Sequence, residues 1–277
     1  MFIKGMKYEF RAVARIVLPM FIVFLCAAML MSIGFMLDGR VFHLLESGEN
    51  EFLSALAIMA VALFSLGILF LIIAINIATF VLIVYRFYVS FFTDEGYLTF
   101  TLPLTTDCHL MIKITSMFLW GLLSWIVTFV GLFIILGGVA VGYTESLRDF
   151  WPEFKYVLEM LWETLKEVYG GSQIWLWIIS VIVASVFQSF LIYFSIALGC
   201  MIFKKNRLLG SVICIFCVDG IYSFFASFGS SLLTTFGMVS GIAFAVASVI
   251  GIVLSIVGII ASYCSMKYIL ERKLNLD

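Results

Sequence analysis

Residues 52–85 read FLSALAIMAVALFSLGILFLIIAINIATFVLIVY, a run of 34 residues without a charged side chain. About 20 apolar residues are enough for a helix to cross the roughly 30 Å hydrocarbon layer of a bilayer. The run therefore predicts a membrane-spanning helix that is longer than the layer is thick. We expect the excess to project into the cytoplasm, toward Arg86 and the loop after it.

The composition of the whole chain agrees with this prediction. Of its 277 residues, 64% are hydrophobic and 12% are charged, whereas soluble domains have about 45–50% and about 25%. So few charges cannot cover a surface that faces water, which excludes a soluble enzyme, a nucleic-acid-binding protein and a disordered chain. We predict an all-α integral membrane protein, with a single transmembrane domain over residues 1–277 whose partner is the lipid bilayer.

Further uncharged runs predict five more spans. The six predicted transmembrane helices cover residues 16–37, 52–85, 110–143, 173–203, 208–230 and 241–267. Basic residues predict the orientation, because cytoplasmic loops carry an excess of Lys and Arg. With both chain ends in the cytoplasm, twelve of the sixteen Lys and Arg residues lie on the inner side. Three spans after residue 208 would place Lys267, Arg272 and Lys273 outside and weaken this bias.

Two amphipathic helices are predicted outside the hydrocarbon layer. The first is an interfacial helix over residues 1–15. Four bases lie on one of its faces: Lys4, Lys7, Arg11 and Arg15. Such a helix lies on the inner leaflet with its cations near anionic headgroups, where it anchors the chain or also contacts a cytoplasmic partner. The other helix is predicted within the extracellular segment 145–172, beginning near Pro152. It either caps an outer gate or lies on the outer leaflet.

The cytoplasmic loop 86–109 holds the most informative motif, since residues 93–103 read TDEGYLTFTLP. Thr93 is a candidate cap for a short helix, and the two acids after it suit the positive end of that helix. Large apolar side chains on a surface usually mark a contact. The loop is therefore expected either to dip into the inner leaflet or to dock a soluble partner.

Residues 93–106, TDEGYLTFTLPLTT, followed by a span that opens near Lys113, resemble the permease subunits of bacterial ABC transporters of the ABC-2, exporter-type class. The closing residues 267–276, KYILERKLNL, are similar to the C-terminal ends of these permeases, as is the order of surface helix and six spans. In that class the loop between spans two and three forms a coupling helix, which seats in a groove of the ATP-binding subunit. The resemblance implies this ATPase-coupling role for Thr93, Asp94, Glu95, Gly96, Tyr97, Leu98, Thr99, Phe100 and Leu102. It also implies short re-entrant helices around residues 227–240.

The resemblance implies a transport subunit rather than an enzyme. The sequence has no G-x-x-x-x-G-K-[ST] motif to cradle phosphates. The chain is therefore expected to bind no cofactor, and ATP and Mg are expected on a separate ABC ATP-binding subunit. Six spans imply half of a transporter, completed by a second copy or a sister permease in the bacterial cytoplasmic membrane. The expected function is export of an amphipathic or lipophilic substrate such as a peptide, lipid or drug.

Asp219 is the one ionisable residue deep within a predicted span. A carboxylate at that depth costs a few kcal/mol and is a functional candidate by default. Three roles are open to this carboxyl group: it is protonated and hydrogen-bonded between helices, it lines a polar substrate path, or it relays protons. Its candidate hydrogen-bond partner is Gln188 of the fourth span. It supports an alternative function, a secondary transporter or channel. A further alternative is a non-transporting sensor or assembly protein whose outer helix binds an extracellular ligand.

Small residues recur every four positions along the sixth span, at Ala243, Ala247, Gly251 and Ser255. This spacing lets two helices approach closely, and it predicts packing within the chain or across a dimer.

Cys214 and Cys217 form a C-x-x-C pair inside an apolar run, without a second pair or His ligands. We therefore expect no zinc site, and the positions of the six cysteines predict no structural disulfide.

Overall fold

The computed structural model describes residues 2–46, 51–93, 96, 105–143, 151–152, 155–156, 159–160, 162–164, 166, 174–235 and 241–272. No strand occurs among these residues. Six long helices contain most of them: α1 (Phe2–Glu46), α2 (Glu51–Phe92), α3 (Thr106–Tyr143), α4 (Ile174–Ile202), α5 (Arg207–Thr235) and α6 (Gly241–Arg272).

Each of the six helices contains a segment long and apolar enough to cross a membrane. These segments are Phe2–Leu37, Ile58–Phe92, Thr106–Val141, Ile174–Ile202, Arg207–Gly229 and Val246–Glu271. Many of their large apolar side chains are exposed, as expected for helices that lipid covers. The prediction of an all-α, multi-pass membrane protein with six spans is confirmed.

The predicted interfacial helix 1–15 and the first predicted span form one continuous helix, α1. The sequence explains this continuity, because neither glycine nor proline occurs between Gly5 and Pro19. Pro19 itself lies inside α1, where the missing N–H removes one backbone hydrogen bond without ending the helix. Similarly, α2 continues past Arg86 to Phe92, so the second span is over-long, as predicted.

Two other predicted segments can be compared with the described residues. Residues 227–235, where the ABC-2 resemblance implies re-entrant helices, belong to α5, and residues 236–240 lie outside the described residues. The described residues between 151 and 166 are helical, as predicted. There Lys155 lies 3.6 Å from Glu159, one turn along, a spacing at which helical side chains meet.

The chain divides into two compact units, and the first comprises Met1–Glu9, Ile83–Phe118 and Trp162–Asp277. Within it, α4 packs against both α5 and α6. α5 runs antiparallel to α4, since the Phe187 ring lies 5.3 Å from Tyr222 and the Cys200 sulfur lies 3.2 Å from the Ser211 hydroxyl. These contacts define a helical hairpin whose turn lies between residues 202 and 207.

α6 runs parallel to α4 in the same unit. Phe187 lies against Gly258, and the Phe190 ring lies 6.5 Å from Tyr263. Because α6 follows α4 in direction and α5 opposes it, the last turns of α4 and α6 lie at the same end as the first turn of α5.

The second unit comprises Phe10–Leu82 and Leu119–Leu161. Trp120 is fully buried and stacks on Phe10, with ring centroids 4.4 Å apart. A separate cluster of apolar side chains packs α1, α2 and α3 together; its buried members are Ala28, Phe35 and Ile135. Gly138 lies directly against the backbone of Ser32, so glycine allows these helices to approach closely.

Candidate functional site

The end of α2 leads into the segment to which the ABC-2 resemblance assigns ATPase coupling. The Thr93 hydroxyl donates to the Val89 carbonyl at 2.6 Å, and the Gly96 N–H donates to the Thr93 carbonyl at 2.8 Å. Thr93 therefore bonds back to the last turn of α2. A Cβ at Gly96 would lie 2.8 Å from the Phe91 carbonyl oxygen, so this turn requires glycine. The other assigned residues lie outside the described residues: Asp94, Glu95, Tyr97, Leu98, Thr99, Phe100 and Leu102.

An ion network lies at the start of this segment. The Glu9 carboxylate of α1 contacts two cations, Arg86 Nε of α2 at 3.0 Å and Lys113 Nζ of α3 at 2.6 Å. Lys113 also donates to the Ser90 hydroxyl at 2.8 Å and is only 8% exposed. Removing one partner of a buried pair leaves an uncompensated charge and costs about 3–5 kcal/mol. The network therefore resists separation of these three helices.

An aromatic stack adds α4 to this network. The rings of Phe87 and Tyr193 are parallel, with centroids 3.8 Å apart. The Tyr193 hydroxyl donates to the backbone carbonyl of Lys113 at 3.4 Å. Both rings are almost completely buried. Within the first unit, the first turns of α1, the end of α2, the start of α3 and the helix α4 thus meet around the residues that precede position 93.

A second polar cluster lies just after the loop. The Asp107 carboxylate, in the first turn of α3, accepts hydrogen bonds from the Tyr263 hydroxyl at 2.5 Å and from Lys267 Nζ at 2.8 Å. Lys267 also lies 4.0 Å from Glu271. These side chains are partly exposed, so each ion pair contributes at most about 1 kcal/mol. Contacts to other helices therefore hold the chain on both sides of residues 94–104.

The predicted partnership of Asp219 is confirmed. Gln188 Nε2 of α4 donates to Asp219 Oδ1 of α5 at 2.6 Å, and both side chains are half-buried. Of the two neighbouring cysteines, Cys214 is buried and Cys217 is exposed, and both are free thiols. Among the described residues, no group of His, Cys, Asp and Glu side chains is arranged to hold a metal ion.

The small residues of α6 differ in their surroundings. Ser255 is buried, whereas a Cβ at Gly251 would meet no atom within 4 Å. Ala247 is half-buried, and the side chain of Ala243 is outside the described set.

The four bases of the predicted N-terminal anchor have similar surroundings: Lys4, Lys7, Arg11 and Arg15 are all exposed.

Sequence reasoning did not identify Glu9, Tyr263 or Asn76. In the second unit, Asn76 of α2 bonds to Thr128 at 3.2 Å and accepts from Ser124 at 3.1 Å, both on α3. Two of the three carry a signal in the sequence: Glu9 is the one acid among residues 1–15, and Asn76 is the one amide in the run 52–85. Tyr263 carries no such signal, because tyrosine is common near the ends of spans.

Comparison with known proteins gave no match. No protein-family model matches the sequence, no curated protein matches it at a significant level, and no solved structure matches the fold at a significant level.

Proposed function

We propose that this multi-pass membrane protein is the membrane-spanning subunit of an ATP-driven, ABC-type transporter of the bacterial cytoplasmic membrane. It exports an amphipathic or lipophilic substrate. A separate ATP-binding subunit supplies the energy, and a second copy or a sister permease completes the pathway. Six apolar helices support this proposal at the level of architecture, and the motif of residues 93–106 supports it at the level of family.

The observation that carries the proposal is the anchoring of the coupling segment. Before it, Arg86 and Ser90 of α2 join the network of Glu9 and Lys113. After it, Asp107 of α3 bonds to α6. A segment held at both ends by charged groups can transmit a displacement to several helices, whereas a segment on a flexible loop would absorb it.

The proposed mechanism follows from this connection. Nucleotide-driven closure of two ATP-binding subunits displaces residues 93–102. The displacement passes to the ends of α2 and α3 and, through Glu9 and Tyr193, to α1 and α4. Access to the substrate path then alternates between the two sides of the membrane.

The test replaces the apolar centre of the coupling segment. In Leu98→Asp/Phe100→Asp, two carboxylates would have to enter the apolar contact with the ATP-binding subunit, and their desolvation opposes docking. We expect co-purification of that subunit from the native host in mild detergent to fall at least about tenfold, measured by quantitative mass spectrometry.

Tyr156→Asp/Met160→Asp is the matched control, because both side chains are exposed on the helical segment predicted outside. It should leave co-purification unchanged. If the coupling variant retains its ATP-binding subunit, or if the wild-type chain purifies without one, the coupling proposal is wrong.

The second candidate function is a secondary transporter or channel. The hydrogen bond between Gln188 and Asp219 favours it, because a half-buried carboxylate within a span can bind a proton or a cation. In that case the purified chain alone conducts ions, and no ATP-binding subunit is needed.

A further inference from the structure

The turn between α4 and α5 carries three bases within four residues, Lys204, Lys205 and Arg207. Lys204 and Lys205 are exposed, and Arg207 is half-buried. None of the three forms an ion pair or hydrogen bond with another described residue through its side chain. The turn therefore presents positive charge that the described part of the chain leaves uncompensated.

Three acids of the first unit that the structure describes already have cationic partners. Glu9 contacts Arg86 and Lys113, and Asp107 contacts Lys267. Glu271, one turn after Lys267, also faces that lysine. These carboxylates are thus committed to other cations, and an anion for the turn must come from outside the described residues.

The helix ends on either side of this turn pack closely against each other. A Cβ at Gly199 would lie 2.6 Å from the Gly210 carbonyl oxygen, so the two helices approach to backbone contact beside the turn. The Phe203 N–H donates to the Gly199 carbonyl, and the Asn206 carbonyl accepts from the Gly210 N–H, each at 2.9 Å. Pre-organised cations lose less conformational entropy when an anion binds than cations on a flexible loop do.

Apolar side chains border the turn on both helices. Ile202 and Phe203 precede the bases, Leu208 and Leu209 follow them, and all four are exposed. Exposed apolar residues beside a cluster of cations match the boundary between acyl chains and headgroups. A soluble protein with an acidic, polar surface would match the cations but would leave these apolar side chains uncovered.

We propose that the turn at residues 203–207 binds the headgroup of an anionic phospholipid of the cytoplasmic leaflet. The phosphate contacts Lys204, Lys205 and Arg207, and the acyl chains cover Ile202 and Leu209. This binding surface is independent of the proposed transport function, because it depends on the charge and apolar border of the turn and on its predicted cytoplasmic orientation, and not on an ATP-binding subunit.

The test uses native mass spectrometry of the full chain in mild detergent, titrated with phosphatidylglycerol and, separately, with phosphatidylcholine. Each base near an anionic surface contributes a severalfold factor to binding. We expect Lys204→Gln/Lys205→Gln/Arg207→Gln to weaken phosphatidylglycerol binding about tenfold or more and to leave phosphatidylcholine binding unchanged.

Two variants serve as controls. Lys204→Arg/Lys205→Arg/Arg207→Lys keeps the three charges and should retain phosphatidylglycerol binding. Lys155→Gln/Lys166→Gln removes exposed bases from the helical segment between α3 and α4 and should also retain it. If the triple glutamine variant does not fold, Lys205→Gln alone should still weaken binding severalfold.

Two outcomes would overturn the proposal. One is phosphatidylglycerol binding that is unchanged in the glutamine variants or equally weakened in the Lys155 and Lys166 variant. The other is unchanged lipid binding together with loss of a co-purifying soluble protein, which would assign the turn to a protein partner instead.

Discussion

At the scale of single residues, Asp219 shows how a costly side chain is accommodated within a span. Its carboxylate accepts a hydrogen bond from Gln188 at 2.6 Å, and an asparagine carbonyl could accept the same bond. Interhelical hydrogen bonds in membranes contribute about 0.6 kcal/mol on average. If Asp219 is structural, Asp219→Asn should melt within about 1 °C of the wild type. Asp219→Leu loses the bond and also leaves the Gln188 amide without this acceptor, which costs about 1–3 kcal/mol, so it should melt several degrees lower. Thermal denaturation in detergent measures both.

Gln188→Leu is the matched control, because it removes the same bond from the other side. In the double variant Gln188→Leu/Asp219→Leu the two losses should not add. Proteoliposomes of the purified chain with a trapped pH-sensitive dye test the alternative function. A proton flux that Asp219→Asn abolishes would contradict a structural role and favour the secondary transporter.

At the scale of helices, glycine determines how closely α4 and α5 pack. A Cβ at Gly199 would lie 2.5 Å from the Ser211 Cα, whereas a Cβ at Gly220 would meet no atom within 4 Å. Alanine favours a helix over glycine by about 1 kcal/mol, but overpacking costs about 1–3 kcal/mol. We expect Gly199→Ala to lower the melting temperature and Gly220→Ala to leave it unchanged or raise it slightly.

Thermal denaturation of the purified protein measures this difference. Because both substitutions add one methyl group to a glycine within a helix, effects on helix propensity cancel in the comparison. Equal melting temperatures for the two variants would mean that α4 and α5 do not make the close approach at Gly199.

At the scale of the whole molecule, the distribution of bases predicts that both chain ends and the α4–α5 turn face the cytoplasm. In a cysteine-free background, Lys155→Cys should react with a membrane-impermeant maleimide in intact cells. Lys205→Cys should react only after the cells are permeabilised. Mobility shifts on gels measure both reactions.

Each of these positions is exposed, so a difference in reactivity reports the side of the membrane rather than burial. The reverse pattern of labelling would invert the topology, and it would place residues 93–102 where no ATP-binding subunit can reach them. Labelling of both positions in intact cells would contradict the six-span arrangement.

The all-α membrane class and the six apolar helices follow from the sequence alone. The reason is that a spanning helix depends on local composition: about 20 apolar residues satisfy their backbone hydrogen bonds internally, whatever lies beside them. The excess length of the second span was predictable because the uncharged run 52–85 is itself too long for the bilayer. The pairing of Gln188 with Asp219 was predictable because polar side chains are so rare within the spans that few other partners compete. In the structure α1 begins at Phe2, whereas the first predicted span begins at residue 16. The bases of residues 1–15 make one face of the helix polar, but they do not interrupt it.

Tertiary structure alone decided how the candidate site is held. Glu9 meets Lys113 across more than one hundred positions, and Tyr263 meets Asp107 across 156. No periodicity relates such residues, because their proximity depends on which helices pack together and in which register. The sequence by itself thus determined that this is a six-helix membrane protein with a distinctive loop at residues 93–103. Packing decided which side chains anchor that loop, because buried charges are stable only where the fold brings their partners within reach.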